Sequence, residues 1–207
     1  MIERDGRGRP ETKVLVFIGD YVDRGADSKG VVEQLVNLQS DFTAHFLRGN
    51  HDQALLDFLA DPGSFAEWKD YGAEETLASY GVPSPQWDDE AVLRQTRDRL
   101  QQALSASHRG FFETLKLSET IGDYFFAHAG VRSGTPLDQQ EQHDLMWIRD
   151  EFLNSRAAFG KIVVHGHTPT HAPVVRRNRI GIDTGAYLTG RLTALVLEGT
   201  RRRFLQT

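Results

Sequence analysis

The sequence predicts an α/β fold in which two mixed β-sheets pack together, helices flank them, and a helical insertion interrupts the chain. Three observations predict it. Short apolar runs end in glycine-containing polar turns, the pattern of strands buried on both faces. A segment of helical period separates the first two of these runs. Residues 53–115 are then helical in pattern, broken by the turn signals Asp61-Pro62-Gly63 and Gly81-Val82-Pro83-Ser84-Pro85.

Taken in order, Val14-Leu15-Val16-Phe17-Ile18 is the first strand and stops at Gly19. Residues 28–38 place Val31, Val32, Leu35 and Val36 on one helical stripe, and residues 42–47 form the second strand, giving a β-loop-α-β unit. After the insertion, strands are expected at 124–127, 161–164, 174–176, 179–182 and 191–197, with a helix over 143–153. The run Arg201, Arg202, Arg203 at the end of the last apolar segment reads as a solvated strand face. With no internal repeat, low-complexity tract or long linker, the 207 residues are expected to form one domain.

Composition narrows the function. Twenty-nine acidic against 24 basic residues give a net charge of -5, which offers no general attraction to a nucleic-acid backbone. The absence of cysteine excludes disulfides, thiolate metal sites and cysteine nucleophiles. No apolar run approaches the ~20 residues of a membrane span, so neither membrane nor nucleic acid is expected as a partner, and a cytoplasmic location is the default.

Four polar clusters follow expected strands: Gly19 to Gly25, Arg48-Gly49-Asn50-His51-Asp52, His128-Ala129-Gly130, and His165-Gly166-His167-Thr168-Pro169. Delivered through glycine-containing turns, they converge on one sheet edge, and their oxygen and nitrogen donors suit manganese, iron or zinc. Singly, Asp20 and Asn50 also fit helix-capping turns, and Arg24 and Arg48 also fit ion pairs with Asp20 or Asp52.

Gly-Asp-Tyr-Val-Asp-Arg-Gly at 19–25, Arg-Gly-Asn-His at 48–51, then His-Ala-Gly and Gly-His-Thr-Pro, in that order, resemble the calcineurin-like phosphoprotein phosphatase family. The resemblance covers residues 13 to about 190 and implies a metallophosphoesterase sandwich. It further implies two divalent ions, most plainly manganese, with Asp20 bridging them and Asn50, His128 and His167 completing the shell of the second ion. His51 would protonate the leaving alkoxide, Asp23 would orient and charge-stabilise it, and Arg24 and Arg48 would hold phosphate oxygens. Asp183 is expected to fix a loop by hydrogen bonding, and Tyr187 to line the site mouth.

The function implied is metal-dependent hydrolysis of phosphate monoesters, on phosphoserine or phosphothreonine in proteins. The related alternative is a symmetrical bis(5'-nucleosyl)-tetraphosphate hydrolase, whose substrate is a dinucleoside polyphosphate. Family members open with a strand ending in Gly-Asp-x-His-Gly, which this sequence does not contain. Its opening Met1-Ile2-Glu3-Arg4-Asp5 looks like the tail of the following helix. The first ion is therefore expected to lack its N-terminal ligands, and strands beside the missing one to carry unpaired backbone groups. A protein that binds metal or phosphate without turnover is the reading of another class.

Overall fold

The computed structural model describes residues 13–207. The helix-tail reading of Met1 to Asp5 lies outside the described residues. Strands β1 (Val14–Phe17) and β2 (Thr43–Phe46) pair in parallel, with Val14 opposite Thr43. Helix α1 (Ser28–Leu38) joins them, and its first turn is capped by Asp27, whose Oδ1 accepts from the Gly30 N–H at 2.9 Å. Val32 and Leu35 are buried while Val31 stays 43% exposed, so the apolar stripe is narrower than expected.

The insertion starts three residues earlier than its pattern suggested. Helix α2 (Asn50–Ala60) follows Gly49 directly and so contains Asn50, His51 and Asp52. After a 3-10 turn at Pro62–Ser64 come α3 (Phe65–Lys69), α4 (Ala73–Ser79), α5 (Glu90–Ala103) and α6 (Ala106–Glu113). The last two are capped by Asp89 and Ser105. Their apolar faces form one core with α1 and β2, centred on Phe58, Phe65, Trp68, Leu77, Leu100 and Phe112.

Five strands make the larger sheet, in the order β3 (Ser118–Ile121), β4 (Tyr124–Ala127), β5 (Ile162–His165), β7 (Arg179–Gly181) and β6 (Val174–Val175). The inner pairs β4–β5 and β5–β7 are parallel, and the outer pairs are antiparallel. Side chains alternate between two cores, as the period of a strand requires. Phe125, Ala127 and Val163 face α7 (Gln142–Trp147) and α8 (Asp150–Leu153). Phe126, Val164 and Ile180 pack with Val16, Ile18, Leu47, Leu195 and Leu197.

That second core lies against the other β layer, so the expected stacking of two layers is present. The second layer is divided into two ladders, β1–β2 and the hairpin of β8 (Thr193–Glu198) with β9 (Arg201–Gln206), which do not pair with each other among the described residues. The arginine run lies in β9, with Arg201 and Arg202 exposed. Strand β3 had no apolar run to mark it, because its residues are Ser118, Glu119, Thr120 and Ile121. The helix expected over 143–153 is two helices, broken at Ile148 and Arg149, where Arg149 has φ −126° and ψ −102°.

Candidate metal and phosphate site

Parallel pairing decides where the chemistry gathers. Because β1 runs with β2 and β4 with β5, the loops after all four strands leave on one side, and they carry the four polar clusters. One bond ties the layers together there, since His128 Nδ1 lies 2.7 Å from the carbonyl of Ile18. Within the larger sheet, the Gly166 N–H donates to the His128 carbonyl at 2.8 Å and joins the loops after β5 and β4. A further link fixes Arg48, whose N–H donates to the Lys116 carbonyl at 2.7 Å.

The loops touch so closely that side chains would not fit. A Cβ at Gly49 would lie 2.1 Å from Asp20 Oδ1, and one at Gly19 would lie 2.5 Å from the Gly49 nitrogen. Four non-glycine residues have positive φ among the described residues, namely Asp20, Asp23, Arg24 and His167. Every one is a site residue named from the sequence. Each conformation costs roughly 1–2 kcal/mol for an L-residue, so the surrounding bonds must hold the loops in place.

Asp52 supplies much of that hold. Fully buried, it accepts from the N–H groups of Asp20 at 2.8 Å, Tyr21 at 3.0 Å and Gly49 at 2.9 Å. Burial pushes its carboxyl up to about 7 and the Asp20 charge adds to this, while the three donors pull the other way.

Asn50, His128 and His167 are buried and meet at one point. Asn50 Oδ1 is 3.0 Å from His128 Nε2 and 2.9 Å from His167 Nδ1, and the two ring nitrogens are 3.1 Å apart. Asp20 Oδ2, partly exposed, is 3.3 Å from His128 Nε2. One ligand atom from each of Asp20, His128 and His167 lies within 4.8 Å of the others. With the Ile18 carbonyl beside Nδ1, the His128 proton sits on Nδ1 and the Nε2 lone pair turns inward.

Burial lowers the pKa of His167 to about 2, helped by the charges of His128 and Arg149, so the ring is neutral. Its Nε2 is buried without a partner among the described residues, so the protein satisfies only one side of this imidazole. A carboxylate, an amide oxygen and two imidazole lone pairs turned toward one another repel unless a cation lies between them. The donor set therefore fits a divalent metal ion. Behind it, burial lowers His165 to about 4, and its Nε2 faces Arg179 Nη1 at 3.2 Å, so His165 backs the site and offers no ligand.

His51 is a different kind of histidine. Its Nδ1 is 2.8 Å from Asp23 Oδ2. Burial works against a charged imidazole, but the bond to Asp23 and the charges of Asp20 and Asp23 outweigh it, and the pKa lies above the ordinary histidine value. Asp23 is held by the insertion: Thr76 Oγ1 donates at 2.6 Å and Trp68 Nε1 at 3.1 Å. Burial raises its carboxyl above the usual range against those bonds.

Neither Arg24 nor Arg48 pairs with Asp20 or Asp52. Arg24 lies 4.8 Å over the Tyr187 ring, and Arg48 Nη1 donates to Gln53 Oε1 at 3.0 Å, leaving Nε without a partner among the described residues. Tyr187 thus stands at the rim, and Asp183 accepts from the Gly185 N–H at 2.8 Å, fixing its loop. The structure adds Arg149, which donates to the His167 carbonyl and to Thr168 Oγ1, both at 3.3 Å. Nothing in the sequence set Arg149 apart from other arginines, because the helix break that aims it comes from the fold.

Two imidazole nitrogens turned toward a carboxylate and an amide oxygen, beside a third histidine paired with a buried carboxylate, make a site suited to metal-dependent hydrolysis of phosphate esters. The chain belongs to the calcineurin-like phosphoesterase family, whose profile matches residues 3–194. It is similar to serine/threonine-protein phosphatase 1 of Salmonella typhimurium, at 30% identity over 92% of this chain and 81% of that protein. It is also similar to the asymmetrical bis(5'-nucleosyl)-tetraphosphatase PrpE of Anoxybacillus flavithermus, at 25% identity over 93% of this chain and 79% of the relative. Among solved structures, one provisionally named a diadenosine tetraphosphatase shares the fold with a TM-score of 0.64 at 22% identity, over 93% of this chain and 80% of the other.

Proposed function

We propose that this chain hydrolyses phosphate monoesters, with phosphoserine and phosphothreonine of proteins as the substrate class. The observation that supports it is the His51–Asp23 pair. A serine or threonine alkoxide is a poor leaving group and requires a proton as the P–O bond breaks, whereas a polyphosphate leaves readily without one. A histidine paired at 2.8 Å with a buried carboxylate that raises its pKa serves the first case.

Divalent ions held by Asp20, Asn50, His128 and His167 would supply Lewis acidity that makes water a nucleophile near neutral pH. Manganese is the ion we would supply first. Arg24, Arg48 and Arg149 bind the phosphate oxygens and offset their charge. Asp23 keeps the His51 proton on Nδ1 directed inward, so that Nε2 of the charged ring donates to the leaving oxygen.

A second reading, hydrolysis of a bis(5'-nucleosyl) tetraphosphate, is favoured by the PrpE relative, which is named asymmetrical where the sequence alone suggested the symmetrical reaction. The test compares His51→Ala with the parent on a phosphoserine peptide and on p-nitrophenyl phosphate, both with manganese. We expect a loss on the order of 10²–10⁴ in kcat on the peptide and a much smaller one on the aryl ester, whose leaving group needs less help. Equal losses on both would remove His51 from the acid's role, and faster turnover of diadenosine tetraphosphate than of the peptide would favour the second reading.

A further inference from the structure

The acid and the metal-ligand cluster are joined along one side by aromatic rings that have no part in the chemistry above. Tyr71, in the turn between α3 and α4, has its ring centroid 5.5 Å from that of His51 and 5.5 Å from that of Trp147, at the end of α7. Trp147 stands edge-on to His167 at 6.0 Å and has His143 stacked beside it at 6.4 Å. Both Tyr71 and Trp147 are half-buried, so part of each ring remains open. Tyr71 is held by its hydroxyl, which donates to Glu67 Oε1 at 3.0 Å. The Trp147 indole N–H, in contrast, donates to no group among the described residues.

One of these rings braces the acid and the other braces a ligand, and each keeps part of its surface open. Tyr71 also borders an open cleft of about 470 Å³ lined by Arg24, Lys69, Asp70, Glu74, Glu75 and Tyr187. A substrate whose phosphate reaches Arg24 thus has room to extend past Tyr71.

We infer that Tyr71 and Trp147 form a platform for the leaving group and that the group they accept is a flat aromatic ring close to the scissile phosphate. The ring stacks on the open surface of the pair, and the free indole N–H supplies one directed donor. These two residues set specificity and carry out no proton transfer. A nucleobase, or an aromatic side chain beside a phosphorylated residue, offers the same chemistry. The inference rests on the phosphoesterase reading of the site, and the following experiment separates the two.

Affinities are measured by calorimetry on the manganese-loaded chain with probes that resist hydrolysis. Two bear rings: methylene-bridged diadenosine tetraphosphate, and a phosphonate peptide with phenylalanine after the phosphonate residue. Two lack them: the same peptide with alanine there, and methylenediphosphonate. Trp147→Leu and Tyr71→Leu are expected to weaken at least one ring-bearing probe about fivefold to a hundredfold, with the ring-free probes within about twofold of the parent. Trp147→Phe, which keeps a ring and guards against a folding defect, should retain most of the affinity. Whichever ring-bearing probe responds names the source of the ring. If the leucine variants weaken all four probes alike, or none, the platform is wrong while phosphate binding stands. If no probe binds the parent, the phosphoesterase reading falls and takes the platform with it.

Discussion

The strand-end loops contain all four of the described non-glycine residues with positive φ, whereas in the insertion only glycines, Gly72 and Gly81, turn left-handed. These loops and the first turn of α2 bury polar groups against one another, with Asn50, His128 and Asp52 almost fully enclosed. The insertion buries Phe58, Phe65, Trp68, Leu77 and Leu100 in ordinary helices with ordinary caps. One region accepts strain to bring ligands together, and the other gains stability from apolar burial. Damage to the two should therefore show up in different measurements.

The largest effect is expected where a single side chain holds the loops. Asp52→Ala leaves three backbone N–H groups without their acceptor, at about 1–3 kcal/mol for each buried one. Denaturant unfolding should show a loss of several kcal/mol, and manganese affinity should fall with it. A variant with parental stability and metal affinity would mean that water or neighbouring groups replace the carboxylate. Leu100→Ala, in the insertion core and 0% exposed, should cost about 2–5 kcal/mol of stability while leaving manganese affinity at 25 °C near the parental value. If metal affinity falls in parallel with stability, the two regions are not separable in this way.

The smallest effect has the opposite sign. Arg24 has φ 60°, so Arg24→Gly removes a strained conformation, although the added chain entropy and the lost contact with Tyr187 offset part of the gain. We expect stability to rise by about 0.5 kcal/mol while KM for a phosphorylated substrate increases. A drop in stability would show that the stacking on Tyr187 outweighs the strain, and the contrast between the regions would weaken at this residue.

The same contrast explains what the sequence disclosed. Strands β1, β2 and β4 and helix α1 were legible because each carries a local period or a continuous apolar run. The residues Asp20, Asn50, His128 and His167 were legible as an ordered set, and the structure gathers them within hydrogen-bonding reach. Asp52 was visible inside its motif but not in its part, because its partners at Asp20 and Tyr21 lie 32 and 31 residues away. Trp68 and Thr76 lie within the helical insertion, and only tertiary packing turns them toward Asp23. Positive φ left no mark at Arg24, a residue type that does not signal a left-handed turn. Strand β3 and the turn at Ile148 and Arg149 depend on pairing and packing with distant segments and have no local pattern of their own.

The grip of Trp68 and Thr76 on Asp23 also limits how such a protein can diverge. An insertion that met the substrate and nothing else could be exchanged between relatives like an attachment, with a new shape bringing a new preference. Here the exchanged piece would have to bring an indole and a hydroxyl to the same two points, or the recipient would keep its histidine and lose the means of charging it. Grafting helices 65–79 as one block, with both residues included, is the smallest transplant that this arrangement permits.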